Sequence, residues 1–100
     1  MHMKVSRHAE RRMRKRLGIG RDSCLRMAER IYEKGKKYSD TTGRLRRYID
    51  FVRFKEGENK DFDVRVYGNY IYIYKEEVLI TVYEIDKKLK RLACGDFNQS

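Results

Sequence analysis

The hydrophobic pattern of this chain changes period near residue 60. Before that point apolar residues recur every third or fourth position; beyond it they alternate. Val5, Ala9, Met13 and Leu17 form one stripe, and Ser6 stands where a side-chain oxygen caps free amides, so the spacing predicts a helix over 6–17. Gly18-Ile19-Gly20 breaks it. A second helix is expected from Asp22 or Ser23 to residue 34, with Cys24, Met27, Ala28, Ile31 and Tyr32 turned one way and Gly35 ending it. After the turn Ser39-Asp40-Thr41-Thr42-Gly43, Leu45, Tyr48, Ile49 and Val52 predict a third helix over 44–54. The alternation of Ile49, Phe51 and Arg53 as a strand is weaker. Residues 55–61 read as a polar loop.

Phe62, Val64 and Val66 then alternate with Asp63, Arg65 and Tyr67, and Gly68-Asn69 marks a tight hairpin. Tyr70, Tyr72 and Tyr74 alternate with Ile71 and Ile73, Lys75-Glu76-Glu77 turns the chain, and a third strand follows over 78–84. The expectation is an α+β fold, with two to three N-terminal helices packed on one face of a three-stranded antiparallel β-meander. Its parts are a helical basic half at 5–54, the meander at 62–84, and a charged tail at 86–100 that frays beyond Arg91. One hundred residues form a single domain, 1–100, because half that length buries too small a core.

Charge divides at nearly the same place as period. Residues 1–53 hold 17 Lys/Arg against 6 Asp/Glu, a net of +11, whereas residues 54–100 hold 8 against 9, a net of −1. Such asymmetry indicates a polyanionic partner, nucleic acid first, with a merely solvated basic surface as the plainer alternative. No apolar run approaches the roughly 20 residues of a membrane span and none reads as a signal peptide, so a cytoplasmic protein without membrane association is expected. Cys24 and Cys94 stand apart from any Cys/His cluster; two reduced thiols are expected ahead of one disulfide, with no metal and no cofactor.

On the first helix His8, Arg12 and Arg16 form a row beside the apolar stripe, at the edge of the core, and Arg7, Arg11, Arg14 and Lys15 cover the remaining surface. Close like charges oppose a helix unless anions offset them, and the planar fork of arginine suits phosphate. The candidate nucleic-acid-binding set is Arg7, Arg11, Arg12, Arg14, Lys15 and Arg16, with Arg46 and Arg47 from the third helix. The competing reading pairs Arg12 or Arg16 with Asp63, Glu84 or Asp86. His8 is either a general acid or base or, more commonly for such a position, a structural hydrogen-bonder. Tyr70, Tyr72 and Tyr74 either stack bases or pack against the helices.

The pattern His8-Ala9-x-x-Arg12-Met13-x-x-Arg16, a helix break, a second helix and a late strand ending Thr81-Val82-Tyr83 resembles a small prokaryotic domain family of unsettled function. That family is grouped with RelE-type toxins and the barnase–colicin–RelE ribonuclease fold, and basic phage and mobile-element proteins are similar over most of the chain. The family runs from its second arginine straight into Gly-Ile, whereas Leu17 intervenes here. The resemblance implies helices on one face of an antiparallel sheet and metal-independent RNA cleavage. It makes His8, Arg12, Arg16 and Tyr83 candidates for the base, the phosphorane-stabilising cations and the acid. It favours RNA over DNA as the ligand. Its phage character adds the alternative of an inhibitor of host defence, such as an anti-CRISPR protein, that grips a host nucleoprotein complex.

Overall fold

Ser6 starts the first helix and ties it to the far end of the chain. Its Oγ accepts from the Ala9 amide (3.1 Å) and donates to the Ile80 carbonyl (3.0 Å). The computed structural model describes residues 3–56 and 62–85. In chain order they form β1 (Lys4–Val5), α1 (Arg7–Leu17), α2 (Arg21–Lys34), β2 (Lys36–Lys37), a 3₁₀ turn (Tyr38–Asp40), α3 (Gly43–Glu56), β3 (Phe62–Tyr67), β4 (Tyr70–Lys75) and β5 (Val78–Glu84).

The sheet is five-stranded and mixed, in the order β1-β5-β4-β3-β2, and this overturns the expected three-stranded antiparallel meander. β1 runs parallel to β5, while every other neighbouring pair is antiparallel. The two added strands are two residues long. So short a segment carries no period; pairing alone defines it, as in Lys4 N–H to the Glu77 carbonyl and Ser6 N–H to the Leu79 carbonyl (2.9 Å each). Val5, counted in the apolar stripe of the first helix, lies in β1 instead.

The helices do not share one face, which is the second correction. α1 and α2 bury Ala9, Met13, Cys24, Ala28 and Ile31 against Tyr72, Tyr74, Leu79 and Val82. α3 lies on the opposite face, where Leu45, Ile49 and Val52 meet Val64, Val66, Ile71, Ile73 and Ile85. The physical reason lies in β4. All of Ile71, Tyr72, Ile73 and Tyr74 are buried, and a strand apolar on both faces needs cover on both. Between Tyr74↔Leu79 and Ile73↔Thr81 the register shifts, leaving Ile80 as an extra residue; this bulge sets Leu79 and Val82 on the same face although three positions apart.

α2 begins at Arg21, and α3 runs to Glu56, past the expected helix end into the expected loop. The rest of that loop, and the tail from residue 86 including Cys94, lie outside the described residues. Two glycines are required by geometry. Gly18 closes α1 at φ 67° with its N–H on the Arg14 carbonyl (3.1 Å). A Cβ on Gly35 would stand 2.6 Å from the Ile31 carbonyl oxygen and 2.9 Å from the Arg65 Cβ, so only glycine lets α2 end this close to β3. Among the described residues no helix is long and apolar enough to cross a membrane.

Candidate nucleic-acid interface

The cap at Ser6 fixes where α1 points its charges. With Ala9 and Met13 buried, the helix turns Arg12 and Arg16 toward β5 and turns Arg7, Arg11, Arg14 and Lys15 into the groove on its other side. The structure engages Arg12 and Arg16 with β5. Arg12 Nη1 donates to the Val82 carbonyl (3.1 Å), and its guanidinium lies 5.4 Å from the centre of the Tyr83 ring. Arg16 Nη1 donates to Glu84 Oε2 (3.1 Å), one of the carboxylates weighed as its partner, and the Tyr70 hydroxyl donates to the Arg16 carbonyl (3.4 Å). His8 is exposed on α1. Of the four residues that the resemblance marks for catalysis, Arg12 and Tyr83 are in contact.

The other side of α1 is different. Arg7, Arg11, Arg14 and Lys15, with Gly18, Ile19, Gly20 and Arg21, line an open groove of about 700 Å³ between α1 and the start of α2. All four cations are exposed, and none forms an ion pair with another described residue. The one carboxylate among the described residues lining the groove, Glu10, is taken by Arg21, whose Nε donates to Glu10 Oε1 (3.0 Å). Arg14 and Lys15 also sit in the last turn of α1, where the negative end of the helix dipole offsets part of their mutual repulsion. α2 opens into the groove behind Gly20, with no side chain capping its first amides. The groove is therefore a concave, positively charged surface whose cations are free to meet a polyanion.

Arg46 and Arg47 do not join this surface, because α3 is on the other side of the sheet. Arg46 is half-buried. Its Nη2 donates to the Tyr38 and Ser39 carbonyls (3.4 and 3.3 Å) and its guanidinium lies 4.8 Å from the Tyr38 ring centre. Arg47 is exposed. Base stacking is closed to Tyr72 and Tyr74, which are 1% and 0% exposed. They take the packing role instead, and the Tyr74 hydroxyl donates to the Ala28 carbonyl (2.8 Å).

Sequence reasoning missed Arg65 and Arg53. Arg65 alternates with Val64 and Val66 as a solvent-facing residue should, yet it is 7% exposed: Nε donates to the Tyr32 carbonyl (2.8 Å) and Nη1 to the Val64 carbonyl (3.0 Å), with the guanidinium 4.2 Å from the Tyr32 ring centre. The available signal was β4 again, since a sheet covered on both faces leaves few solvent-facing positions on its strands. Cys24 is a buried free thiol, its Sγ 3.4 Å from the Gly20 carbonyl; burial first, and Glu10 second, push its pKa up, away from thiolate chemistry. Among the described residues no group of three or more His, Cys, Asp or Glu is placed to hold a metal ion. Comparison of the chain with known protein families, with curated proteins and with solved structures finds no match.

Proposed function

We propose that the protein binds nucleic acid, RNA ahead of DNA, through the groove between α1 and α2. The observation that carries this reading is the set of four exposed cations, Arg7, Arg11, Arg14 and Lys15, around one concavity where the one carboxylate among the described lining residues is already engaged. Phosphodiester oxygens accept from guanidinium forks, and their negative charge relieves the repulsion that the four cations impose on one another. The preference for RNA rests on the resemblance of the α1 row and the late strand to RelE-type proteins.

Fluorescence anisotropy with a labelled single-stranded oligoribonucleotide across a salt series tests it. Four phosphate contacts give a slope of log K against log salt of about −3, and Arg11→Ala with Arg14→Ala flattens that slope by roughly 1.4. Arg12→Ala with Arg16→Ala changes it less, because β5 already holds both guanidiniums. Binding that ignores salt, or no binding to either RNA or DNA, refutes the proposal.

A second reading, metal-independent RNA cleavage at the other side of α1, is favoured by the contact of Arg12 with Tyr83 beside the row that carries His8. His8 would take the ribose 2′-OH proton as the 2′-oxygen attacks phosphorus, Arg12 would stabilise the phosphorane, and Tyr83 would donate a proton to the 5′-oxygen as its bond to phosphorus breaks. RNA cleaved in the presence of a chelator by the wild type, and not by His8→Ala, is the expected result; intact RNA under both conditions leaves binding alone.

A further inference from the structure

β2 ends after Lys37 and pairs only with Arg65 and Val66, so on that edge of β3, opposite β4, residues 62–64 have no strand beside them among the described residues. At this edge, on the β2 side of the sheet and away from α1, an open recess of about 340 Å³ is lined by Lys37, Tyr38, Ser39, Arg53, Asp63 and Arg65, among others. Three of those residues are cations.

Arg53 is the least satisfied of them. Its guanidinium lies 4.9 Å from the Tyr38 ring centre, its Nε is buried without a hydrogen-bond partner, and it donates to none of the described residues. Arg46 lies against the same ring at 4.8 Å, and its Nε is likewise buried and unpartnered. Two guanidiniums on one phenol ring repel each other. Asp50, on the same helix, accepts from the Tyr38 hydroxyl (2.6 Å) and forms an ion pair with neither among the described residues. Arg65 is nine-tenths buried and is met, among the described residues, by two carbonyls and the Tyr32 ring. Asp63, the one carboxylate among the described residues lining the recess, accepts from the Tyr32 hydroxyl (3.1 Å) and pairs with none of the three cations. Burying and crowding cations without an anion is costly, and an open recess beside them admits one.

We propose that this recess binds a phosphate group. The donor set suits a tetrahedral anion with several oxygens: a planar fork from Arg53, a point charge from Lys37 and a hydroxyl from Ser39. The phosphate is carried either by a small molecule or by a nucleic-acid strand, and the site stands on residues separate from the α1–α2 groove, so either can fail without the other.

Inorganic phosphate is the first probe, followed by amide chemical shifts of the full chain. The expected result is a saturable shift confined to residues 37–39 and 62–65. Arg53→Gln weakens binding roughly tenfold, in line with the loss of a charge-assisted hydrogen bond. Lys37→Ala, an exposed position that leaves the packing untouched, weakens it in the same sense, while Arg11→Ala with Arg14→Ala leaves it unchanged. No saturable shift at these amides, or a shift that survives both Arg53→Gln and Lys37→Ala, overturns the proposal. Oligoribonucleotides with and without a 5′-phosphate then identify the source. Shifts at the recess with the phosphorylated strand alone mark a terminal phosphate, shifts with both mark a backbone diester, and shifts with neither, after a positive phosphate titration, mark a small-molecule phosphate.

Discussion

The two faces of the sheet bury their apolar surfaces by different means. On the α1/α2 face the strands offer rings, Tyr72 and Tyr74, and the helices offer small residues, Ala9 and Ala28, so large meets small. Bonds from side chain to backbone then fix the helices in place, from Ser6 to Ile80, Arg12 to Val82 and Tyr74 to Ala28. On the α3 face branched aliphatics meet branched aliphatics, and the Tyr48 hydroxyl donates to the Glu84 carbonyl (3.2 Å) where the helix meets the strand end. Dispersion and burial hold a helix near a sheet without choosing its rotation; directional bonds choose it. The helix that carries the densest charge is tied by directional bonds to β5, which keeps its remaining cations facing the groove.

The largest test of that contrast is Tyr74. Tyr74→Ala lowers stability by about 3–5 kcal/mol through the cavity it leaves, whereas Tyr74→Phe keeps the ring and costs about 1 kcal/mol for the lost bond to Ala28. On the opposite face Ile73→Val costs about 1 kcal/mol for its missing methylene alone. Urea midpoints measure all three, and a Tyr74→Phe variant as stable as the wild type would break the comparison.

Alkaline pH separates the faces without mutation. Burial, and next to it a neighbouring tyrosine, push the Tyr72 and Tyr74 hydroxyls well above their ordinary value of 10. Above that pH the unfolded chain sheds these protons and the folded chain retains them. Their contribution to stability is therefore complete below pH 10 and is lost as pH climbs toward the folded values. Urea midpoints should fall steadily beyond about pH 10, and Tyr74→Phe should make that fall shallower. An equally steep fall in the variant would place the titrating groups elsewhere.

Ser6→Ala comes next, at about 1–2 kcal/mol, since one hydroxyl both caps α1 and reaches Ile80. Amide exchange should quicken in α1 first, with α3 unaffected; equal quickening in both would mean that the two faces open as one unit. The smallest effect belongs to the ion pair of Arg16 with Glu84, whose side chains are 36% and 44% exposed. Arg16→Ala changes stability by less than about 1 kcal/mol, and a larger loss in thermal melts would show that the pair does more than surface pairs do.

Helices and the three long strands were legible because their periods are local properties of ten or so residues. What escaped the sequence was relational. Nothing in Lys4-Val5 or Lys36-Lys37 says strand until Val78 and Arg65 are beside them. The apolar faces of α1, α2 and α3 say that each helix needs a partner surface, but not which side of the sheet supplies it. The unbroken apolar run of β4 contained that answer. The candidate site was legible as a helix dense in cations; the division of those cations between β5 and the groove was not, because it depends on carbonyls and carboxylates 68 to 70 residues away.

That distance has a consequence for how the protein comes into being. Ser6 and Ile80 are 74 residues apart, and β1 finds its parallel partner only in β5. During vectorial synthesis α1 therefore leaves the ribosome long before the strand that seats it, and the closing of so long a loop makes its docking a late event. Through that interval the basic segment is a short amphipathic stretch in a medium crowded with RNA, with its charges present and their orientation still unset. A nascent chain halted before residue 78 would possess every cation of the groove and lack the strand that aims them.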